Sequence, residues 1–341
     1  MEMPIRSIRI HPVFRYLLTI WLLLGLFFPV FSQKALDVAA VAITVEDLDR
    51  EVAFFTEVLE CKLLRTETWS GEQAARLFGV PGNYAVKIVT LQLGAEQLRL
   101  MDFEGPDSRP VPADTRSNDL WFQHLAIVVR DMDAAYRKLL ENYVAHVSTA
   151  PQTLPEYLHA AAGIKAFYFR DPEGHNLELI WFPAGKGNAR WHMSSPAGQF
   201  LGIDHTAIGV SDTEAGMKFY RDGLGLLHGG HSENYGTEQE HLNQVFGARL
   251  DINGLHAENG IGIEFLRYIA PPGGRAMPAD SKPTDLWHYH TEIGVDNLEA
   301  MRRKLEKSGY HSVSTGKTTI NGNPMWMMRD GDGHAVLLFE K

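Results

Sequence analysis

Five residues of metal-binding type recur at matching places along the chain. Three histidines, His124, His205 and His290, each open an alternating apolar strand pattern. Two glutamates, Glu178 and Glu264, each stand between large apolar neighbours, where a carboxylate is costly to bury without a cation. Imidazole and carboxylate groups together suit Fe(II), Mn(II), Ni(II), Co(II) or Zn(II). A lone histidine on a strand is more often structural, so the repetition is what indicates a divalent metal site.

An internal repeat explains why these residues recur. Residues 118–124 return as residues 284–290, and residues 109–114 return as residues 275–280, both shifted by 166 positions. Self-similarity at a constant shift is typical of duplicated structural units. The chain after its N-terminal segment is therefore predicted to consist of two tandem halves, joined by a Gly-, Pro- and Ser-rich linker at residues 184–199.

Each half divides again into two modules with the same order of elements. An apolar strand pattern comes first, followed by an aspartate suited to cap a helix and by a helical apolar pattern. The capping aspartates are Asp47, Asp131, Asp212 and Asp296. Turn signals at residues 171–174 and 330–333 precede a last strand. The order predicts an α+β fold of four βαβββ modules, at residues 36–117, 118–183, 200–283 and 284–341, within domains at 33–183 and 200–341.

This pattern resembles the vicinal oxygen chelate superfamily, which includes glyoxalase I, bleomycin-resistance proteins and extradiol dioxygenases. The resemblance covers essentially the whole chain after residue 32. It is carried by residues 167–178, which read Phe-Tyr-Phe-Arg-Asp-Pro-Glu-Gly-His-Asn-Leu-Glu, and by the strands that begin at His124, His205 and His290. The resemblance implies that paired modules curl their sheets into cups, with helices outside and metal ligands on the first and last strands of each module.

The four modules differ in what they carry at the two ligand positions. In chain order, the residues there are Ala40 and Arg99, His124 and Glu178, His205 and Glu264, and His290 and Leu337. Only the second and third modules are complete. The resemblance therefore implies a metal site made of His124, Glu178, His205 and Glu264.

Two pairings of the modules are open. Pairing one with two and three with four would divide the ligands between two cups. Pairing two with three and one with four brings all four complete positions together, as in fused glyoxalases, and we favour it. Arg99 agrees with this choice, because a guanidinium repels a metal cation and could instead pair with Glu292, which shares a strand face with His290. Whether His290, Arg99 and Glu292 form a second site stays open.

The resemblance implies two kinds of chemistry on a small substrate that chelates through oxygen. An isomerase or lyase similar to glyoxalase I would use the metal to stabilise an enediolate-like intermediate, with Glu178 or Glu264 moving the proton. An extradiol ring-cleaving dioxygenase would use His124, His205 and Glu178 as a triad. His159 would then act as acid or base, and Tyr168 would contact the substrate. A third hypothesis is that the protein is a non-catalytic small-molecule-binding protein similar to bleomycin-resistance proteins.

The net charge limits the classes of partner, and the N-terminal segment indicates where the protein is located. The net charge of −10 gives no support for nucleic-acid binding, and the sequence does not indicate an oligomeric state. Arg6, Arg9 and Arg15 precede an apolar run at residues 17–31, which is shorter than the ~20 residues of a spanning helix. Residues 1–32 are predicted to be a secretory signal, so the protein is exported to the periplasm or secreted and meets a membrane only through this segment. An uncleaved anchor is the alternative.

Cys61, the lone cysteine, is expected in the core.

Overall fold

The computed structural model describes residues 34–82, 84–105, 108–193 and 198–341, and the predicted secretory signal at 1–32 lies outside them. The strands in chain order are β1 (Ala35–Val45), β2 (Lys62–Ser70), β3 (Ala85–Leu93), β4 (Glu96–Phe103), β5 (Gln123–Val129), β6 (Ala145–His146), β7 (Gln152–Thr153), β8 (Lys165–Arg170), β9 (Asn176–Trp181), β10 (Phe200–Gly209), β11 (Leu227–Tyr235), β12 (Arg249–His256), β13 (Asn259–Gly260), β14 (Gly262–Ala270), β15 (Tyr289–Val295), β16 (Thr318–Ile320), β17 (Asn323–Arg329) and β18 (Ala335–Glu340).

Short helices connect these strands. The α-helices are α1 (Leu48–Ala53), α2 (Gly71–Phe78), α3 (Met132–Glu141), α4 (Thr213–Met217), α5 (Thr237–Asn243) and α6 (Leu298–Lys307). Helices α1 and α4 continue into single π-helical segments at Phe54–Val58 and Lys218–Gly223, and a 3-10 helix covers Ala189–His192. None of the helices in the described ranges is long and apolar enough to span a membrane. The predicted α+β architecture of tandem modules is confirmed.

The strands form two nine-stranded mixed sheets, each built from both halves of the chain. The first sheet has the order β16-β17-β18-β15-β1-β4-β3-β2, with β13 also paired to β1. The second has the order β11-β12-β14-β10-β5-β9-β8-β6, with β7 also paired to β8. Strand β1 pairs antiparallel with β15, and β10 pairs antiparallel with β5. Module one therefore joins module four, and module two joins module three, which confirms the favoured pairing.

Three of the four predicted helix caps are confirmed. The carboxylates of Asp47, Asp131 and Asp212 each accept a hydrogen bond from the backbone N–H three residues further on. The prediction for Asp296 is wrong. Helix α6 begins at Leu298, so the residue before it, Asn297, is the one whose side chain reaches the Ala300 N–H, at 2.9 Å.

Reciprocal ion pairs tie the two halves together through the repeated run. Arg109 lies 2.7 Å from Asp285, and its equivalent Arg275 lies 2.7 Å from Asp119. Both aspartate side chains are almost completely buried, and each arginine lies over a tryptophan ring. A buried carboxylate that lost its guanidinium partner would be strongly destabilising. The repeated residues thus form the ion pairs that join the two halves.

Cys61 is buried in the core, as expected.

Candidate metal centre

Four neighbouring strands of the second sheet carry the predicted ligands. Glu264 stands on β14, His205 on β10, His124 on β5 and Glu178 on β9, and these strands are adjacent in that order. Within this set, Ala126 lies opposite both His205 and Glu178 in the strand register. Its small side chain leaves room for the longer donors beside it to lean together over the sheet.

The donor atoms converge on one point. The Nε2 atom of His124 lies 3.0 Å from Oε2 of Glu178, and Nε2 of His205 lies 3.7 Å from the same oxygen. Donor atoms of these three residues all lie within 4.8 Å of one another, and all three residues are buried. Oε1 of Glu264 lies 3.7 Å from Nε2 of His205. The structure thus brings together all four predicted residues, with Glu264 at the edge of a compact group of three.

The unpaired histidine nitrogens fit a metal ion. Both ring nitrogens of His124 and Nε2 of His205 are buried. None of these three atoms has a hydrogen-bond partner among the described residues. The short contact from His124 to Glu178 lacks hydrogen-bond geometry. Buried polar atoms without a partner are costly, and a cation bound by Nε2 of each imidazole and by the carboxylates would remove that cost for these two nitrogens. Two imidazoles with one or two carboxylates form a donor set for a borderline divalent ion.

The electrostatics of the site also favour a cation. Burial alone would lower the pKa of His205, but attraction to Glu264, Asp204 and Glu178 outweighs burial and raises that pKa to about 10. Burial, opposed by His205, raises the pKa of Glu264 to about 7. Burial lowers the pKa of His124, with Glu178 opposing it. The raised pKa of His205 reflects the negative charge that Glu264, Asp204 and Glu178 place around its ring, and a divalent cation would compensate that charge.

Asp204 orients His205 and was missed by the sequence analysis. Its carboxylate lies 3.0 Å from Nδ1 of His205 and accepts a 2.6 Å hydrogen bond from the Trp191 indole. A carboxylate on one ring nitrogen fixes the imidazole so that the other nitrogen faces the metal. Strand alternation predicts that neighbouring residues point to opposite faces, but the register shifts between Ile203 and His205. This bulge lets Asp204 bind the ring of the residue that follows it.

A cavity of about 340 Å³ opens beside the donors. Glu178, His205, Glu264 and Tyr168 line it, together with mostly small or apolar side chains. Tyr168 is buried and its ring centre lies 4.8 Å from that of His124, while burial raises its phenol pKa well above the usual value. The side chain of His159, by contrast, is exposed on a loop, and the residue is not among those that line the cavity.

The equivalent face of the first sheet is filled. Arg99 lies 3.1 Å from Glu292, as the strand faces predicted, and Nε2 of His290 lies 3.7 Å from the same carboxylate oxygen. Phe78 and Leu337 belong to a buried apolar cluster on this face and are at most 1% exposed. Within the described ranges, only His124, Glu178 and His205 form a group of three donors close enough for one ion. The first sheet thus holds an ion pair where the second holds converging ligands.

Comparison with known proteins places this architecture. Residues 37–179 and 202–338 both match the family model described as the Glyoxalase/Bleomycin resistance protein/Dioxygenase superfamily. The chain belongs to this superfamily. The two matches account for most of its length, and they confirm the resemblance inferred from the strand starts and from residues 167–178.

Proteins similar to this chain include one that is named as an enzyme. The chain is 37% identical over 155 residues to a 2-epi-5-epi-valiolone epimerase from Actinomyces sp, a match that covers 44% of this chain and 82% of the relative. Glyoxalase I from Zea mays superposes with a TM-score of 0.58 at 17% identity, covering 91% of this chain and 92% of the other. A putative dioxygenase from Bacillus subtilis subsp. subtilis str. 168 superposes with a TM-score of 0.57 at 13% identity, covering 91% and 86%. The two structural matches show the shared fold.

Proposed function

We propose that the protein is a metal-dependent epimerase or isomerase of a small hydroxylated carbonyl compound. The observation that carries this proposal is the convergence of His124, Glu178 and His205, with Glu264 beside them, at the wall of a cavity of substrate size. His124, His205 and Glu178 would hold the ion. A bound divalent ion supplies Lewis acidity, which stabilises negative charge on a substrate oxygen and acidifies the neighbouring C–H bond.

Glu264 is placed to move the proton. Its side chain is 27% exposed, compared with 6% for Glu178, and it lines the cavity at the edge of the donor group. Its carboxylate would remove the proton from the carbon next to the substrate carbonyl. Returning a proton to that carbon from the opposite side inverts its configuration, whereas returning it to the neighbouring carbon isomerises the substrate. Glu178 stands on the far side of the two histidine strands and is the candidate for the second transfer.

Tyr168 would line the end of the cavity at which the reaction takes place. Its phenol stays protonated at neutral pH because burial raises its pKa, so it can donate a hydrogen bond to a substrate oxygen. The epimerase relative supports the choice of substrate class, since 2-epi-5-epi-valiolone is a hydroxylated ketone. With the predicted signal at residues 1–32, we propose that the reaction takes place outside the cytoplasm.

Metal analysis of matched variants tests the ligand assignment. We expect near-stoichiometric metal in the wild-type protein and strong loss in His205→Ala, which removes a converging donor. His290→Ala is the control, because His290 opens the corresponding strand pattern in module four but lies in the filled first sheet. It should keep its metal. Metal retained by His205→Ala, or lost by His290→Ala, would contradict the assignment.

Proton exchange tests the chemistry. The metal-loaded protein is incubated with 2-epi-5-epi-valiolone in deuterated water under nitrogen, and deuterium at the carbon beside the carbonyl is followed by NMR. We expect deuterium incorporation that depends on the metal and falls at least about a hundredfold in Glu264→Gln, because general-base catalysis typically contributes that much. Unchanged exchange in Glu264→Gln would remove that residue from the mechanism.

A ring-cleaving dioxygenase is the second candidate. The compact group of His124, His205 and Glu178 is the two-histidine-one-carboxylate set of non-haem iron oxygenases. His159, the histidine that this hypothesis assigns as acid or base, is exposed and does not line the cavity. Loading with ferrous iron and measuring oxygen uptake on catechol separates the two candidates, since the epimerase proposal expects no uptake.

A further inference from the structure

The cavity beside the donor group has a second polar region made of two buried carboxamides. Asn234 on β11 is 5% exposed, and Gln239 on α5 is 1% exposed. Both line the cavity that also contains Glu178, His205 and Glu264. Neither residue belongs to the donor group, and the reaction proposed above does not use them.

Asn234 has an unsatisfied carboxamide. Its Oδ1 atom is buried and has no hydrogen-bond partner among the described residues. An amide group in an apolar setting is costly to leave unpaired. A protein of ordinary stability retains such a group where a ligand or a bound water completes its hydrogen bonds.

Gln239 has one satisfied and one unsatisfied end. Its Nε2 donates to Oδ1 of Asn243, and Nδ2 of Asn243 donates to the hydroxyl of Tyr268. This relay fixes the orientation of the Gln239 amide. Its Oε1 atom remains buried without a partner among the described residues, so a residue that lines the cavity holds an oriented acceptor that lacks a donor.

The spacing of these residues sets the reach of a ligand. In the strand register, Gly230 lies opposite Gly254, and Gly254 lies opposite Glu264. A Cβ atom at either glycine would meet nothing within 4 Å, so the two glycines leave open space above the sheet next to Glu264. Asn234 stands four residues beyond Gly230, about 13 Å along an extended strand. A ligand that contacts both Glu264 and Asn234 must therefore carry polar groups at two separated ends.

The charge of the lining narrows the ligand class. The described residues that line the cavity include no lysine or arginine, while Glu178 and Glu264 are acidic. Away from the donor group that includes His205, a carboxylate or phosphate on the ligand would thus find no lysine or arginine to compensate it, and His231, which also lines the cavity, is already paired with Asp251 at 2.8 Å. Neutral hydroxyl groups, each able to donate and to accept, match two carboxamides with unpaired atoms.

We propose that Asn234 and Gln239 form a subsite that binds the distal hydroxyl groups of a neutral, polyhydroxylated carbonyl substrate. The inference rests on the proposed function for the reacting end of the cavity, and it adds the substrate class and two specificity-determining residues. A substrate with only two vicinal oxygens, which would bind at the metal centre, would leave both carboxamides unpaired and would bind more weakly.

Two probes with the same six-membered ring test the subsite. scyllo-Inosose carries a hydroxyl group on each of the five ring carbons besides the carbonyl carbon. 2-Hydroxycyclohexanone carries only the carbonyl oxygen and one hydroxyl group next to it. Binding of each to the nickel-loaded protein is measured by calorimetry for wild type, Asn234→Leu, Gln239→Leu and the double variant. The control is Gln73→Leu, because Gln73 is the repeat equivalent of Gln239 in the first sheet, where its exposed amide accepts from the Thr319 N–H at 3.1 Å.

The wild-type protein is expected to prefer scyllo-inosose. Each leucine variant should weaken that binding about tenfold, which is the usual effect of losing one well-oriented hydrogen bond, and the double variant should weaken it further. Binding of 2-hydroxycyclohexanone and the metal content should stay unchanged, which also shows that the variants are folded. Gln73→Leu should match wild type. Equal weakening of both probes, unchanged binding of scyllo-inosose, or no binding of it by wild type would overturn the subsite.

A titration of the metal-free protein separates this proposal from the proposed function. If scyllo-inosose still binds and still depends on Asn234 and Gln239, but neither metal nor Glu264→Gln affects the affinity or the exchange, the subsite holds and the metal-dependent reaction fails. If metal-dependent exchange occurs and the leucine variants keep the wild-type preference for scyllo-inosose over 2-hydroxycyclohexanone, the reaction holds and the subsite fails.

Discussion

Replacing Arg99 with methionine is expected to destabilise the protein without emptying the metal centre. The carboxylate of Glu292 is 3% exposed and lies 3.1 Å from the Arg99 guanidinium. Burial would raise the pKa of Glu292, but attraction to Arg99, together with His290 and Arg65, outweighs burial and holds that pKa below its usual value. Removing one partner of a buried ion pair typically costs about 3–5 kcal/mol, because the remaining charge is left uncompensated.

Two further variants apportion this cost. Arg99 is more exposed than its partner and lies over the Trp69 ring, so Glu292→Gln should cost less than Arg99→Met. The double variant Arg99→Met with Glu292→Gln leaves no buried charge and should recover most of the loss. Arg249→Met is the matched control. Arg249 pairs with Glu233 at 2.6 Å but is 53% exposed, so its loss should cost at most about 1 kcal/mol.

The cost of Arg99→Met should depend on pH. In wild type the lowered pKa of Glu292 contributes stability above the unfolded value of about 4.3, and that stability is lost as the pH falls through the folded value. Without Arg99, burial raises the pKa of Glu292, so the folded variant binds a proton that the unfolded chain releases. Its unfolding free energy should therefore fall as the pH rises above about 4.3.

Urea unfolding followed by circular dichroism at pH 5 and pH 8 measures these effects, with metal content determined in parallel. The expected result is a larger loss at pH 8, recovery in the double variant, and unchanged metal content. A loss below about 1 kcal/mol at both pH values would refute the view that this ion pair supports the fold in place of a metal. Loss of metal from Arg99→Met would refute the separation of the two sheets.

Three other substitutions probe the site and its support. Gly254→Leu should abolish substrate binding while leaving the melting temperature and metal content unchanged, because a Cβ atom there meets nothing within 4 Å; calorimetry and a thermal melt check this. Asp204→Asn should weaken metal affinity about 10- to 100-fold by releasing the His205 ring, measured by competition with a chelator. Glu51 is fully buried, and burial, then the charges of Asp171 and Glu173, raise its pKa to about 10. Between about pH 4.3 and that value the folded protein retains a proton that the unfolded chain releases, so wild-type stability falls with pH there. Glu51→Gln should flatten this slope and raise the melting temperature at pH 8.

The repeat made much of the architecture predictable. Aligning residues 118–124 with residues 284–290 identified equivalent strands, and strand alternation then assigned side chains to faces. The same alignment placed Arg99 and Glu292 on one face, and their 3.1 Å contact confirms this. Local signals also worked where one residue decides the geometry, as at Gly174, whose positive φ of 93° the turn requires.

Features that depend on small displacements were not predictable. Asp204 binds the ring of His205 only because of a bulge in β10, and no residue type in that strand signals it. The capping residue of α6 is displaced by one position, from Asp296 to Asn297. Helix boundaries of this kind shift with the length of the preceding strand, which tertiary packing sets.

The sequence by itself determined which side chains of metal-binding type stand at equivalent positions, because duplication preserves register and register assigns faces. It also determined that the modules lacking ligands carry a guanidinium and a leucine in their place. Only the tertiary structure decided that one sheet keeps an open cavity while the other is filled, and that Glu264 lies at the edge of the donor group. It also decided that Asn234 and Gln239 line that cavity with unpaired amides. These outcomes depend on how side chains distant in sequence fill a shared volume, and a linear pattern carries no measure of that volume.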